Sequence, residues 1–244
     1  MKDGFIKKNF GQENLAGIEK ILSNYHQKWL VKNESAFKNG AINSAYITNG
    51  DFLSPAERLE LLKFVSSSKV VNEARKVLGH DICFLNTQIF FNPYSEQQKN
   101  YWHRDIQYTG QSEDQQRKVI EAKDSQVIHL RLALADENGI EFIPGSHFRW
   151  DTPKELNVRL KRDGESVFND LQGSEQVPLK KGDLLIFDAN IIHRGLYGQS
   201  RFAFDILFCK SLPEITKYIS SDTLPKKEEL GLMECPEVFK LSIT

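Results

Sequence analysis

The chain has 244 residues, of which 40% are hydrophobic, with three cysteines and a formal net charge of -1. That length suits one large domain, and β-sandwiches and barrels routinely fill it alone. The near-neutral charge gives no electrostatic case for nucleic acid or an anionic membrane as main partner, and no apolar run approaches a membrane span.

The opening residues Met1-Lys2-Asp3-Gly4-Phe5 lack an apolar signal region. Cys83, Cys209 and Cys235 lie too far apart for a zinc spacing or an evident disulfide framework. A cytoplasmic setting and ordinary packing roles for the three thiols are therefore expected.

In chain order, residues 12–32 carry Leu15, Ile18, Leu22, Tyr25 and Trp29 at the spacing of an amphipathic helix. Ser54-Pro55-Ala56-Glu57 is a helix start, with Ser as cap, Pro at the first position and Glu three after the cap. That helix is expected to run to about Val65. A second runs from Val70 to Leu78 and stops at Gly79. Residues 1–80 thus read as a helical brace.

The texture changes at Asp81. Ile82 to Phe91 is strand-like and aromatic, with Asn86, Gln88, Phe90 and Asn92 on one face. A polar stretch leads into Tyr101-Trp102-His103-Arg104-Asp105, read as extended. Residues 109–125 suggest a surface loop with a short helix at 114–122. Gln126 to Ala135 is a strand with His129 and Arg131 on one face and Ile128, Leu130 and Leu132 on the other. Asp136-Glu137-Asn138-Gly139 turns the chain, and Ile140 to Ile143 returns. Residues 151–176 form an excursion. Strands follow at 176–179, 183–188 and 201–209, and residues 211–244 make a C-terminal extension of short helical pieces. Helices followed by many short strands indicate an α+β fold with a β-sandwich or barrel core over residues 81–210. Periodicity does not by itself separate a jelly roll from other barrels.

The chemistry centres on His103 and Asp105. Two residues apart on an extended segment, they point the same way and can share a metal ion. His193, after the apolar run Asp183 to Phe187, offers a third donor. Two neutral imidazoles and one carboxylate form the facial triad of non-haem Fe(II) oxygenases. Arg201 follows His193 across a turn containing Gly195 and Gly198, which places it on a neighbouring strand. Its guanidinium is suited to a two-point grip on a carboxylate, such as the one that 2-oxoglutarate carries at the end away from the metal. Facing His129 and Arg131 are two readings: solvent, or a pocket in which Arg131 meets an anionic group of a substrate. Arg104 lies between two donors and points away from the metal, in a substrate-facing or structural role.

Trp102-His103-Arg104-Asp105 resembles the Trp-His-x-Asp signature of the phytanoyl-CoA dioxygenase family. The segment from Asn138-Gly139 to Pro144-Gly145-Ser146-His147 is similar to that family's Asn-Gly and Pro-Gly-Ser-His segment. Lys181-Gly182-Asp183, His193 and Arg201 resemble its closing segment, and the three motifs occur in the family's order over roughly residues 80–210. The resemblance implies a double-stranded β-helix (jelly-roll, cupin-like) core. It also implies dependence on Fe(II), 2-oxoglutarate and O2, with His103, Asp105 and His193 on iron and Arg201 on the co-substrate. Gln88 and Asn92 match a Gln and an Asn that line the pocket in related ectoine hydroxylases, and His147 is expected at the pocket edge, off the metal.

The expected reaction is hydroxylation of a small molecule with release of succinate and CO2. Asp105 disfavours halogenation, because halogenating relatives lack that carboxylate. The alternatives are a non-catalytic jelly-roll binding module and an iron or zinc cupin that uses no co-substrate.

Overall fold

The computed structural model describes residues 1–240. Helix α1 (Ala16–Lys32) buries Ile18, Leu22, Tyr25 and Trp29, a spacing of three and four that makes one apolar stripe. The short α2 (Glu34–Lys38) follows it. Helix α3 (Pro55–Val65) begins with the expected box: the Ser54 side chain accepts from Glu57 N, and the Glu57 carboxylate accepts from Ser54 N. Helix α4 (Ser68–Leu78) is capped by Ser67 and ends at Gly79. Ahead of these helices lies strand β1 (Phe5–Asn9), and β2 (Asn43–Ala45) falls between α2 and α3. Both strands are short and were not legible in the residue pattern.

The remaining elements are β3 (Ile82–Phe91), α5 (Glu113–Glu121), β4 (Val127–Ala133), β5 (Glu137–Phe142), α6 (Pro153–Leu160), β6 (Glu175–Leu179), β7 (Asp183–Asp188), β8 (His193–Gly195), β9 (Phe202–Lys210) and α7 (Pro213–Thr216). A six-stranded sheet runs β1-β7-β4-β9-β3-β2, and a three-stranded sheet runs β6-β5-β8. All pairings are antiparallel. The two sheets make a jelly roll, and among the described residues no helix is long and apolar enough to cross a membrane.

Strand alternation divides the larger sheet into a helix-facing side and an inner side. Ile128, Leu130 and Leu132 of β4, Leu184 and Ile186 of β7, and Phe204, Ile206 and Phe208 of β9 pack into one core with α1, α3 and α4. From the other side, Ala133, Leu185 and Phe187 meet Ile140 and Phe142 of β5 and Val177 and Leu179 of β6. The space not filled between the sheets is the cavity described below. In β3 the alternation changes parity at a bulge, where the register against β9 slips between Phe84 and Asn86. Phe84, Ile89 and Phe91 join the helix-facing core, while Leu85, Asn86, Gln88 and Phe90 face the cavity. All three cysteines are buried and free.

Two local expectations are corrected. Segment 101–105 is not a strand. His103 forms an isolated antiparallel bridge with His193, and Asp105 opens a 3-10 turn, Asp105–Tyr108. Nor does Asp136-Glu137-Asn138-Gly139 close a hairpin. Strands β4 and β5 belong to different sheets, and Asn138-Gly139 lies at an irregularity in β5, where the register against β6 shifts between Glu137 and Ile140. Glycine is needed there: at φ +79, a Cβ on Gly139 would stand 1.8 Å from the Val177 carbonyl oxygen.

Candidate metal centre

Reciprocal backbone hydrogen bonds of 3.0 Å between His103 and His193 fix the two histidines side by side, and Asp105 N donates to the Ala189 carbonyl at 3.0 Å. Chain segments distant in sequence are thereby held together by main-chain bonds rather than by side-chain packing alone. One ligand atom from each of His103, Asp105 and His193 lies within 4.8 Å of the others. Asp105 Oδ1 is 3.6 Å from His103 Nε2 and 3.8 Å from His193 Nε2.

The tautomers suit a metal. His103 Nδ1 faces the Tyr101 carbonyl at 3.3 Å, and His193 Nδ1 faces the Ile191 carbonyl at 2.9 Å. A carbonyl only accepts, so both Nδ1 atoms carry hydrogen and both Nε2 lone pairs point at Asp105 Oδ1. Burial lowers the pKa of both imidazoles, that of His193 to about 3. Burial acts to raise the Asp105 carboxyl, but the His129 hydrogen bond and three neighbouring imidazoles overcome it and hold it well below the usual carboxylate range. Neutral imidazoles and an ionised carboxylate are the protonation states that a divalent cation needs, so the donor set fits iron.

His129 completes the surroundings of Asp105. Its Nε2 donates to Asp105 Oδ2 at 2.7 Å, and its Nδ1 donates to Asp205 Oδ2 at 3.1 Å. The ring stacks on Phe187 at 4.5 Å. Burial would lower the pKa of this imidazole, yet the two carboxylates raise it to about 9. Of the two readings of β4, the inward one holds: His129 and Arg131 line the cavity. Arg131, however, is already engaged. Its Nε donates to Glu137 Oε1 at 3.1 Å, and its Nη1 lies 3.5 Å from Asp205 Oδ2.

Arg201 lines the same cavity, of about 480 Å³. It precedes β9 in the larger sheet and so does not sit on a strand beside His193, as expected from the turn, because β8 belongs to the smaller sheet. The residue is 3% exposed, and its Nε and Nη1 have no hydrogen-bond partner among the described residues. The nearest carboxylate oxygen, Glu137 Oε2, is 3.9 Å from Nε. Tyr197 and Phe90 rings lie 5.2 and 5.4 Å from its central carbon. Burial and the nearby Arg131 lower its pKa to about 10. A buried cation with unused donors, facing a cavity, is suited to an incoming carboxylate.

Gln88 lines this cavity as well. The other candidates lie elsewhere. Asn92 lies beyond the end of β3, where its Nδ2 donates to the Gln199 carbonyl at 2.8 Å and its Oδ1 accepts from Gly198 N at 2.9 Å. It ties the turn before Arg201 and is absent from the lining of the triad cavity. Arg104, fully buried, donates to Asp151 Oδ1 and to the Ser146 and Asn190 carbonyls. Asp151 also holds Arg159, so Arg104 belongs to an internal ion cluster and has no free donor face for a substrate. His147 packs on Phe148 and meets the Met1 carbonyl at 3.2 Å, away from the cavity.

Asp205 and Glu137 escaped the residue-level reading. The signal for Asp205 was present: one ionisable residue in the otherwise apolar run Phe202-Ala203-Phe204-Asp205-Ile206-Leu207-Phe208, where burial demands a partner. Glu137 was absorbed into the presumed turn.

The family model described as Phytanoyl-CoA dioxygenase (PhyH) matches residues 11–202. The chain belongs to the phytanoyl-CoA dioxygenase family. No curated protein sequence matches it. Among solved structures, EctD from S. alaskensis with bound Fe is 16% identical, with a TM-score of 0.57 over 86% of this chain and 73% of EctD. AviO1 from Streptomyces viridochromogenes Tue57 is 17% identical, with a TM-score of 0.57 over 86% of this chain and 91% of AviO1. The non-heme alpha ketoglutarate dependent epimerase SnoN, from nogalamycin biosynthesis, is 14% identical, with a TM-score of 0.54 over 86% of this chain and 77% of SnoN. These likenesses establish the shared fold, and family membership makes this chain an oxygenase.

Proposed function

We propose that this family member is an Fe(II)- and 2-oxoglutarate-dependent dioxygenase that hydroxylates a small molecule and releases succinate and CO2. One observation carries the reading: the Nε2 lone pairs of His103 and His193 and the Asp105 carboxylate converge in the same cavity as the unpartnered guanidinium of Arg201. The three donors would hold the iron, and iron chelated by the keto acid supplies the oxidising chemistry that activates O2 and a C–H bond. Arg201 would bind the far carboxylate of 2-oxoglutarate, with Gln88 beside it. Tyr197 and Phe90 flank the guanidinium and keep bulk water from competing for it.

The substrate would take the rest of the cavity, where Leu85, Ile106, Val127, Leu207 and Ile215 form an apolar wall. An apolar wall with few polar groups is the usual character of a small-molecule site. The structure of EctD from S. alaskensis with 2-oxoglutarate and 5-hydroxyectoine has a similar fold with a keto acid and a second small molecule, which supports the reading.

The test is anaerobic loading with Fe(II), then addition of 2-oxoglutarate and O2. Succinate is expected in amounts that depend on iron. His103→Ala should abolish iron loading, whereas Arg201→Ala should keep iron and demand at least about tenfold more 2-oxoglutarate. Unchanged succinate formation in both variants, or none in the iron-loaded parent, overturns the assignment.

A further inference from the structure

We propose that Asp205 is a positioning residue that ties the metal site to the co-substrate site, resting on the dioxygenase reading above. It touches neither of the expected ligands. It sits in the middle of a row of side chains with alternating charge, all buried except Asp105: Asp105, His129, Asp205, Arg131, Glu137, Arg201. The links are 2.7 Å from Asp105 Oδ2 to His129 Nε2 and 3.1 Å from His129 Nδ1 to Asp205 Oδ2. Arg131 Nη1 is 3.5 Å from Asp205 Oδ2 and its Nε 3.1 Å from Glu137 Oε1, and Glu137 Oε2 is 3.9 Å from Arg201 Nε.

The sheet dictates this arrangement. Arg131 of β4 stands directly opposite Asp205 of β9, and His129, two residues back on β4, shares its face. One Asp205 oxygen therefore serves both neighbours diagonally and across. The third strand, β5, brings Glu137 from the smaller sheet. All five members beyond Asp105 are at most 4% exposed. Deep in a sandwich, a charge is tolerated only when it is paired. Removal of the central charge leaves His129 with Asp105 as its one anion and Arg131 with Glu137 as its one anion.

Each half of the line has a distinct task. His129 occupies Asp105 Oδ2, so that Oδ1 alone is turned toward the two histidine nitrogens. Glu137 brings the nearest carboxylate oxygen to Arg201, 3.9 Å from its Nε, and is absent from the cavity lining. Asp205 fixes both: it orients His129 from behind, and it orients Arg131, which in turn holds Glu137. Outer partners of this kind commonly alter metal affinity by 10- to 100-fold when removed.

The test compares three nearly isosteric variants, Asp205→Asn, His129→Gln and Glu137→Gln, with folding checked by circular dichroism. Two binding measurements are made without turnover: Fe(II) affinity by anaerobic calorimetry, and 2-oxoglutarate affinity from the visible absorption that appears when the keto acid chelates ferrous iron. Asp205→Asn should weaken both by about tenfold or more. His129→Gln should weaken mainly Fe(II), and Glu137→Gln mainly 2-oxoglutarate. A simply structural role would lower thermal stability without this split.

If the parent binds both ligands and Asp205→Asn binds both equally well, the proposal is overturned while the dioxygenase reading stands. If the parent binds neither, the dioxygenase reading itself fails. Should Asp205→Asn not fold, the other pair decides: loss of both ligands together, or of neither, in His129→Gln and Glu137→Gln overturns the division of tasks.

Discussion

A methyl group built on Gly195 would stand 2.5 Å from Nη2 of Arg201. Gly195 closes β8 two residues after His193, so the strand that presents this imidazole to Asp105 also leaves the space in which the guanidinium lies. Gly195→Ala should fold, because the atom it meets is the tip of a side chain and not backbone. Arg201 would have to shift. Affinity for 2-oxoglutarate is expected to fall about tenfold with Fe(II) affinity retained, measured by titration of the iron-loaded protein. Unaltered keto-acid binding would argue that Arg201 is not its anchor.

Asn92 offers a contrasting case, since it grips the Gly198–Gln199 backbone and not the cavity. Asn92→Ala removes two hydrogen bonds and should lower stability by about 1–2 kcal/mol in urea denaturation. Its effect on 2-oxoglutarate affinity should be smaller than that of Arg201→Ala. An equal loss in the two variants would restore Asn92 as a direct contact.

Asp151 holds Arg104 with one oxygen and Arg159 with the other, all with fully buried side chains. Asp151→Ala strands two cations inside the protein. The expected cost is about 3–5 kcal/mol, read as a shift in the denaturation midpoint at unchanged slope. A loss below about 1 kcal/mol would mean that the cluster relaxes into solvent.

Asp188 carries a pH dependence. Burial raises its pKa to about 6 from 3.8, against hydrogen bonds from Ser125 and Asn190. The folded chain therefore keeps a proton that the unfolded chain has released, and the contribution of Asp188 to stability is lost as pH rises through about 6. Asp188→Asn preserves an acceptor for Asn190 N without the charge. In metal-free protein it should exceed the parent in stability by on the order of 3 kcal/mol at neutral pH, and the gap should close as pH falls to about 4 and below. A difference independent of pH would place the effect elsewhere than in the carboxyl.

Much of the fold was legible where a local rule was strong. The Ser54 cap, the α1 stripe and the β7 and β9 apolar runs follow from residues acting on near neighbours. The donors His103, Asp105 and His193 stood out because imidazole and carboxylate in apolar surroundings are expensive without a purpose. What escaped reading was set by distant partners. Strand β1 exists because it lies along β7, and Asn138-Gly139, a hairpin signal by composition, serves instead as a kink where β6 presses close. Asp105 reaches the donor cluster from a 3-10 turn, so the strand argument for its direction reached the right place through the wrong geometry. Arg104 and His147 looked like pocket residues because they flank motif positions, yet their partners are internal carboxylates and backbone carbonyls.

The bulge between Phe84 and Asn86 absorbs one extra residue, Leu85, so that Phe84 can face the helices and Asn86 the cavity on either side of it. Excision of Leu85 would place Asn86 directly after Phe84 in unbroken alternation, leaving Gln88 and Phe90 on the cavity and Ile89 and Phe91 on the helical brace. Loss of a residue beyond the bulge, such as Thr87, would instead turn part of the strand over, because a one-residue slip exchanges its two faces.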